Sequence, residues 1–94
     1  MANIDEELRI AGEARTAIAK RPKEILTILR KAALVARTTP FSSEATLNKA
    51  RRKVGSALES LIPALEAHRE TPTRLDKAKV AIDEWIKEIK AARP

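Results

Sequence analysis

Residues 75–89 read LDKAKVAIDEWIKEI. Leu75, Ala78, Ile82, Trp85, Ile86 and Ile89 recur at intervals of three and four, and the residues between them are mostly charged. That spacing puts one apolar stripe on a helix and leaves the other side for water. The stretch therefore predicts an amphipathic helix, started by Thr71 with Pro72 or by Thr73 with Asp76. Trp85 falls on its core stripe.

The same rhythm continues toward the N-terminus. A long helix is expected over Ser43–His68, with Leu47, Arg51, Val54, Leu58, Leu61, Ile62 and Leu65 on one face. Arg51 flanks that face and can lay its stem along it. Pro63 removes one backbone bond and should kink the last turns. Ser42 or Ser43 can cap this helix, with Glu44 near its positive end. A helix over Pro22 to about Arg37 buries Ile25, Leu29, Ala32 and Ala36, flanked by Ile28 and Ala33. Leu26, Leu34 and Val35 widen its apolar surface beyond one stripe. A first helix over Ile4–Lys20 puts Ile4, Leu8, Ala11, Ala14 and Ile18 together, and Asn3 with Glu6 has capping-box spacing. The fold class is all-α: two shorter helices (1–40) followed by a long antiparallel helical hairpin (41–94). Together they make one domain of four helices. The hairpin should pack through Leu58, Leu61, Ile82 and Trp85. The width of the helix-two surface predicts a homo-oligomer.

Composition agrees. The 94 residues include two Gly, no Tyr and no Cys. Ala supplies 17 of the apolar residues, so 23 larger ones besides Met1 must build the core. A small domain with so modest a core has reason to associate. Without Cys there is no disulfide, thiolate metal site or Cys nucleophile, and a lone His68 makes no metal cluster. His68 reads as a charge at a helix C-terminus. No apolar run approaches a membrane span of ~20 residues, and the acidic start lacks signal-peptide character. The chain reads as a soluble cytoplasmic protein with no membrane partner. No Gly-rich phosphate loop, metal spacing or triad appears. We therefore expect no enzyme, no catalytic residues, no metal and no cofactor.

Charge is uneven. The net charge is +6. Arg15–Lys53 holds eleven basic residues against Glu24 and Glu44, and the remainder is net negative. An anion would meet the middle of the chain. On helix three, Lys49, Arg52, Lys53 and Ser56 share the face opposite Val54, Leu58 and Leu61. Three cations around a hydroxyl can hold phosphate, although such a face can also simply be solvated. Lys23, Arg30 and Arg37, seven apart, form a second basic stripe on helix two. Gly55, mid-helix, fits a close helix contact or an approaching ligand. Phe41 is either a hydrophobic staple or a stacking surface. Acidic residues such as Asp83 are expected as surface partners of nearby cations, here Lys87.

Several segments lie in an order found in one known family. These are Phe41-Ser42-Ser43-Glu44 opening a helix, Lys53 to Ile62 around Gly55-Ser56, His68-Arg69-Glu70 at a turn, and Trp85-Ile86-Lys87-Glu88-Ile89 near the end. Phe41–Ala92 thereby resembles the helical-hairpin phage anti-CBASS proteins, which sequester cyclic oligonucleotide signals. The resemblance covers a little over half the chain, and residues 1–40 have no counterpart. It implies a multimeric sponge with pockets between protomers, in which Phe41, Lys53, Ser56 and Arg69 touch the nucleotide. Two departures stand out. The aromatic residue is usually Tyr, and Val54 separates Lys53 from Gly55.

The functional expectation is a binding protein for an anionic nucleotide or nucleic acid, through Lys49, Arg52, Lys53, Ser56, Arg69 and Phe41. The alternative is a small protein–protein interaction module whose partner docks on helix two.

Overall fold

The structure, a computed structural model, describes residues 4–38 and 45–92. Four helices make it up: α1 (Ile4–Lys20), α2 (Ile25–Thr38), α3 (Ala45–Glu66) and α4 (Pro72–Ala92), with no strand among the described residues. Asn3, Phe41, Ser42, Ser43 and Glu44 lie outside the described residues, and so do the capping and stacking roles expected of them.

Local chemistry explains the helix ends. Asp5, Glu6 and Glu7 occupy the first turn of α1, where the helix dipole favours carboxylates. Arg21 ends α1 in the left-handed region, φ 53°, and its N–H reaches Ala17 O at 2.8 Å. That single bond is a left-handed C-cap made without glycine. Pro22 follows and cannot continue the helix. Its carbonyl accepts from Ile25 N at 3.1 Å, closing one turn. Helix two therefore begins at Ile25 and not at Pro22 as the sequence suggested, because the reversal at Arg21 uses Pro22–Glu24 as a turn. At the end of α3, His68 is left-handed, φ 55°. Arg69 N bonds Ala64 O at 2.7 Å and His68 N bonds Leu65 O at 3.1 Å. This bond pair is a Schellman closure, so α3 stops at Glu66, two residues short of His68. It runs unbroken through Pro63. Thr71 then caps α4: its hydroxyl accepts from Arg74 N at 3.2 Å, with Pro72 in the first helical position.

A side chain at His68 strains the left-handed backbone, which glycine adopts freely. His68→Gly should raise stability by about 0.5–1 kcal/mol. A urea melt checks it, and an unchanged or lowered midpoint would contradict the strain argument.

The helices pack in a ring, α1 on α2, α2 on α3, α3 on α4 and α4 on α1. The bundle is 39 Å long and 20 × 19 Å across. Arg30 pairs with Glu66 and Arg37 with Glu59, so α2 and α3 run in opposite directions. Small residues fill much of the inward surface of α1 and α2: Ala11, Ala14, Ala32, Ala33 and Ala36 are all buried. The bulk of the core comes from Leu29, Leu47, Leu58, Leu61, Ile82, Trp85 and Ile89. Trp85 is fully buried, as its stripe predicted.

Two faces differ from the pattern read in the sequence. On α1, Ile4 and Leu8 are only half-buried, while Glu7, Ile10 and Ala17 are buried, so the inward face is rotated toward Glu7. On α2 the broad apolar surface is mostly used within the chain. Ile25, Leu26, Ile28 and Val35 pack against the core, because α2 lies between α1 and α3. Leu34 stays outside, 61% exposed.

Candidate functional site

An open groove of about 570 Å³ lies between α3 and α4. Lys53, Ser56 and Ser60 come from α3, and Arg74, Lys77 and Val80 from α4. Asp76 and Glu84 also line it, so three cations face two carboxylates. Both walls are helical, which fixes the spacing of the charged groups. Val80 is 63% exposed and gives the groove an apolar patch.

The expected phosphate cluster is thus divided. Lys53 and Ser56 line the groove, whereas Lys49 and Arg52, though exposed on α3, do not. Lys53 Nζ lies 3.6 Å from Glu84 Oε1 across the groove. An ion pair this exposed is worth roughly 0–1 kcal/mol, so an anion that binds better can displace the carboxylate. Arg69 is exposed at the α3–α4 turn and is not part of the groove. Phe41 is outside the described residues. Arg74 and Lys77 were not singled out in the sequence. Their place opposite Lys53 depends on how α4 is rotated against α3, and no spacing within one helix reveals that.

The second stripe is largely neutralised. Arg30 Nη2 lies 2.6 Å from Glu66 Oε2, and Arg37 Nη1 lies 2.9 Å from Glu59 Oε1. Lys23 is exposed beyond them in the turn before α2. The Arg37 stem lies over Gly55, where a Cβ would stand 3.3 Å from its Cγ. Helix packing accounts for the glycine. Asp83 accepts from Arg15 Nε of α1 at 2.8 Å, so its partner is another helix and not the expected Lys87.

A cluster the sequence reading missed lies in the core. Glu7, Asn48 and Arg51 are buried, and Trp85 closes the group. Arg51 donates from Nε to Glu7 Oε2 and from Nη2 to Glu7 Oε1, both at 2.8 Å. Its Nη1 donates to Asn48 Oδ1 at 3.0 Å, and Trp85 Nε1 donates to Glu7 Oε2 at 2.7 Å. The two-pronged geometry is the strongest form of an Arg–carboxylate pair. No buried side-chain polar atom among the described residues lacks a partner. The sequence places Arg51 at the flank of the core stripe with only its stem buried. Instead its charged head is inside, because Glu7 of α1 meets it there. The available signal was complementary: Glu7 precedes Ala11, Ala14 and Ile18 at core spacing on α1, and Arg51 sits on the core stripe of α3. The network ties α1, α3 and α4 together and is almost wholly shut off from solvent, so its role is structural.

One clasp lies at the far end of the bundle. Arg21 donates to Glu70, joining the α1–α2 turn to the α3–α4 turn. A backbone N–H of Glu70 itself, and then the Arg21 guanidinium, hold its carboxyl below the usual carboxylate range. This contribution is present at and above the ordinary carboxylate range. It is lost as pH falls through the lowered folded value.

Among the described residues no group of three or more His, Cys, Asp or Glu side chains could hold a metal, and no helix is long and apolar enough to cross a membrane. Comparison with protein-family models, curated proteins and solved structures found no match for this chain.

Proposed function

We propose that the protein is a non-enzymatic cytoplasmic binding protein for an anionic nucleotide or nucleic-acid ligand, seated in the α3–α4 groove. The observation that carries this reading is the placement of Lys53 and Ser56 opposite Arg74 and Lys77 across one groove. Hydroxyls and cations on rigid helices suit phosphate oxygens, and Lys49 and Arg52 extend the positive face along α3. In its sharpest form, resting on the resemblance of residues 41–92, the ligand is a cyclic oligonucleotide and the protein works as an antiparallel-hairpin oligomer that sequesters it. The alternative, a small protein–protein interaction module acting through helix two, draws its support from the exposure of Leu34.

Calorimetry with cyclic dinucleotides and short duplexes tests the reading. A charge-assisted bond to phosphate is worth roughly 1.5–3 kcal/mol. Lys77→Ala should therefore weaken binding about tenfold to a hundredfold, with stability within ~0.5 kcal/mol of the parent because Lys77 is exposed. Lys90→Ala, exposed near the other end of α4 and outside the groove, is the control. Salt identifies the ligand class. Duplex affinity falls steeply with salt because many phosphates release counterions, whereas a dinucleotide with two phosphates falls gently. Equal binding by Lys77→Ala and the parent, or no binding by the parent, would remove the anion reading.

A further inference from the structure

The α2–α3 face carries a charge pattern unlike the rest of this basic chain. A groove of about 570 Å³ there is lined by Arg30, Leu34 and Arg37 from α2 and by Glu59, Ile62 and Pro63 from α3. Glu66 lies beside it, paired with Arg30. All the cations of this strip are on α2 and all the carboxylates on α3. Arg30 and Arg37 are seven residues apart, as are Glu59 and Glu66, so each pair spans about 10 Å along its helix. The Arg37–Glu59 and Arg30–Glu66 pairs put the two rows at matching heights. Leu34 lies between the arginines as Ile62 and Pro63 lie between the glutamates.

We infer that this face binds a second copy of the chain, with a twofold axis running along the groove. Such an axis lays α2 of one copy over α3 of the other. Arg30 then meets the partner's Glu66 and Arg37 meets the partner's Glu59, each contact occurring twice, as an isologous interface requires. Leu34 meets the partner's Ile62 and Pro63, so the exposed leucine is covered by apolar surface. An axis across the helices would set α2 against α2, arginine against arginine, and is disfavoured. All four charged side chains remain about half exposed within one copy, between 48% and 62%. An Arg head has five N–H donors and a carboxylate about four acceptor positions, so groups already paired within a copy retain capacity for the partner. The strip is charge-neutral on a chain of net charge +6, which removes from the contact the repulsion that two basic molecules otherwise feel. Heptad-spaced Arg and Glu flanking an apolar row are also how coiled coils select partners.

This inference does not depend on the anion reading, since the groove that carries that reading lies on the other side of α3. Sedimentation equilibrium of the full chain from low to high micromolar concentration tests it. The parent should dimerise, and Leu34→Glu should raise the dimer dissociation constant at least about tenfold while circular dichroism stays helical. A second pair of variants tests the charge pattern. Arg30→Glu with Arg37→Glu makes both helices of the strip acidic, and Glu59→Arg with Glu66→Arg makes both basic. Each should be monomeric alone, and a mixture of the two should form a heterodimer. A parent that stays monomeric at high micromolar concentration would overturn the inference. So would a Leu34→Glu variant that dimerises as tightly as the parent, or a mixture that fails to associate when both variants are folded.

Discussion

Glu7→Ala should destabilise the protein by about 3–5 kcal/mol, the cost of leaving a buried charge without its counter-charge. Arg51 would lose both of its bonds to the carboxylate, and Trp85 N–H would lose its acceptor. Water cannot replace them, because Arg51 is buried between α1, α3 and α4. Glu7→Gln keeps the shape, and a single amide oxygen can accept only part of what the carboxylate does, so its cost should be smaller. Removing both charges is the informative comparison. Glu7→Leu with Arg51→Met exchanges the pair for apolar bulk, which in other buried pairs is often neutral or better. Here Trp85 N–H and the Asn48 amide would remain without these partners, so the double variant should recover only part of the loss. Urea melts followed by circular dichroism measure all three. A loss under about 1 kcal/mol for Glu7→Ala would mean that water reaches the pair.

Trp85→Ala should cost a similar amount, about 3–5 kcal/mol, because it empties the largest buried site in the core. The indole contributes in two ways, through its volume and through the N–H that holds Glu7. Trp85→Phe separates them. It keeps most of the aromatic bulk and removes the donor, so it should cost about 1–3 kcal/mol. The protein has one Trp, so its fluorescence reports folding directly. The parent should emit in the blue range of a buried indole and shift red on unfolding. If Trp85→Phe is as damaging as Trp85→Ala, the hydrogen bond and not the volume dominates.

Helix α4 was readable from its own residues. Ala78, Ile82, Trp85 and Ile89 are all buried, and an amphipathic helix shows that in its spacing alone. Residues that answer to another helix were harder to read. Glu7 looks like an ordinary acidic first-turn residue until Arg51 is seen opposite it. Lys53 reads as a free cation until Glu84 comes across the groove. The left-handed caps at Arg21 and His68 were hidden for a different reason. The usual marker of such a cap is glycine, and here Arg and His take the strain. The excess apolar surface of α2 was visible, but its division was not. Most of it packs inward because α2 touches two neighbours, and Leu34 alone of its large side chains is exposed. Of the expected binding residues, Lys53 and Ser56 share the groove because they are neighbours on one helix face. Arg69, carried over from the family resemblance, lies outside it because the closure at His68 keeps it at the turn.

The anion reading stands or falls on where a nucleotide touches the molecule. The direct measurement is a titration of isotope-labelled protein with a cyclic dinucleotide and, separately, a short DNA duplex, followed by amide chemical shifts. Perturbations should cluster on Lys53, Ser56, Ser60, Arg74 and Lys77 and saturate with ligand, and Leu29 in the core should not move. Shifts confined to the α2–α3 strip, or no saturating shift with either ligand, would contradict the account.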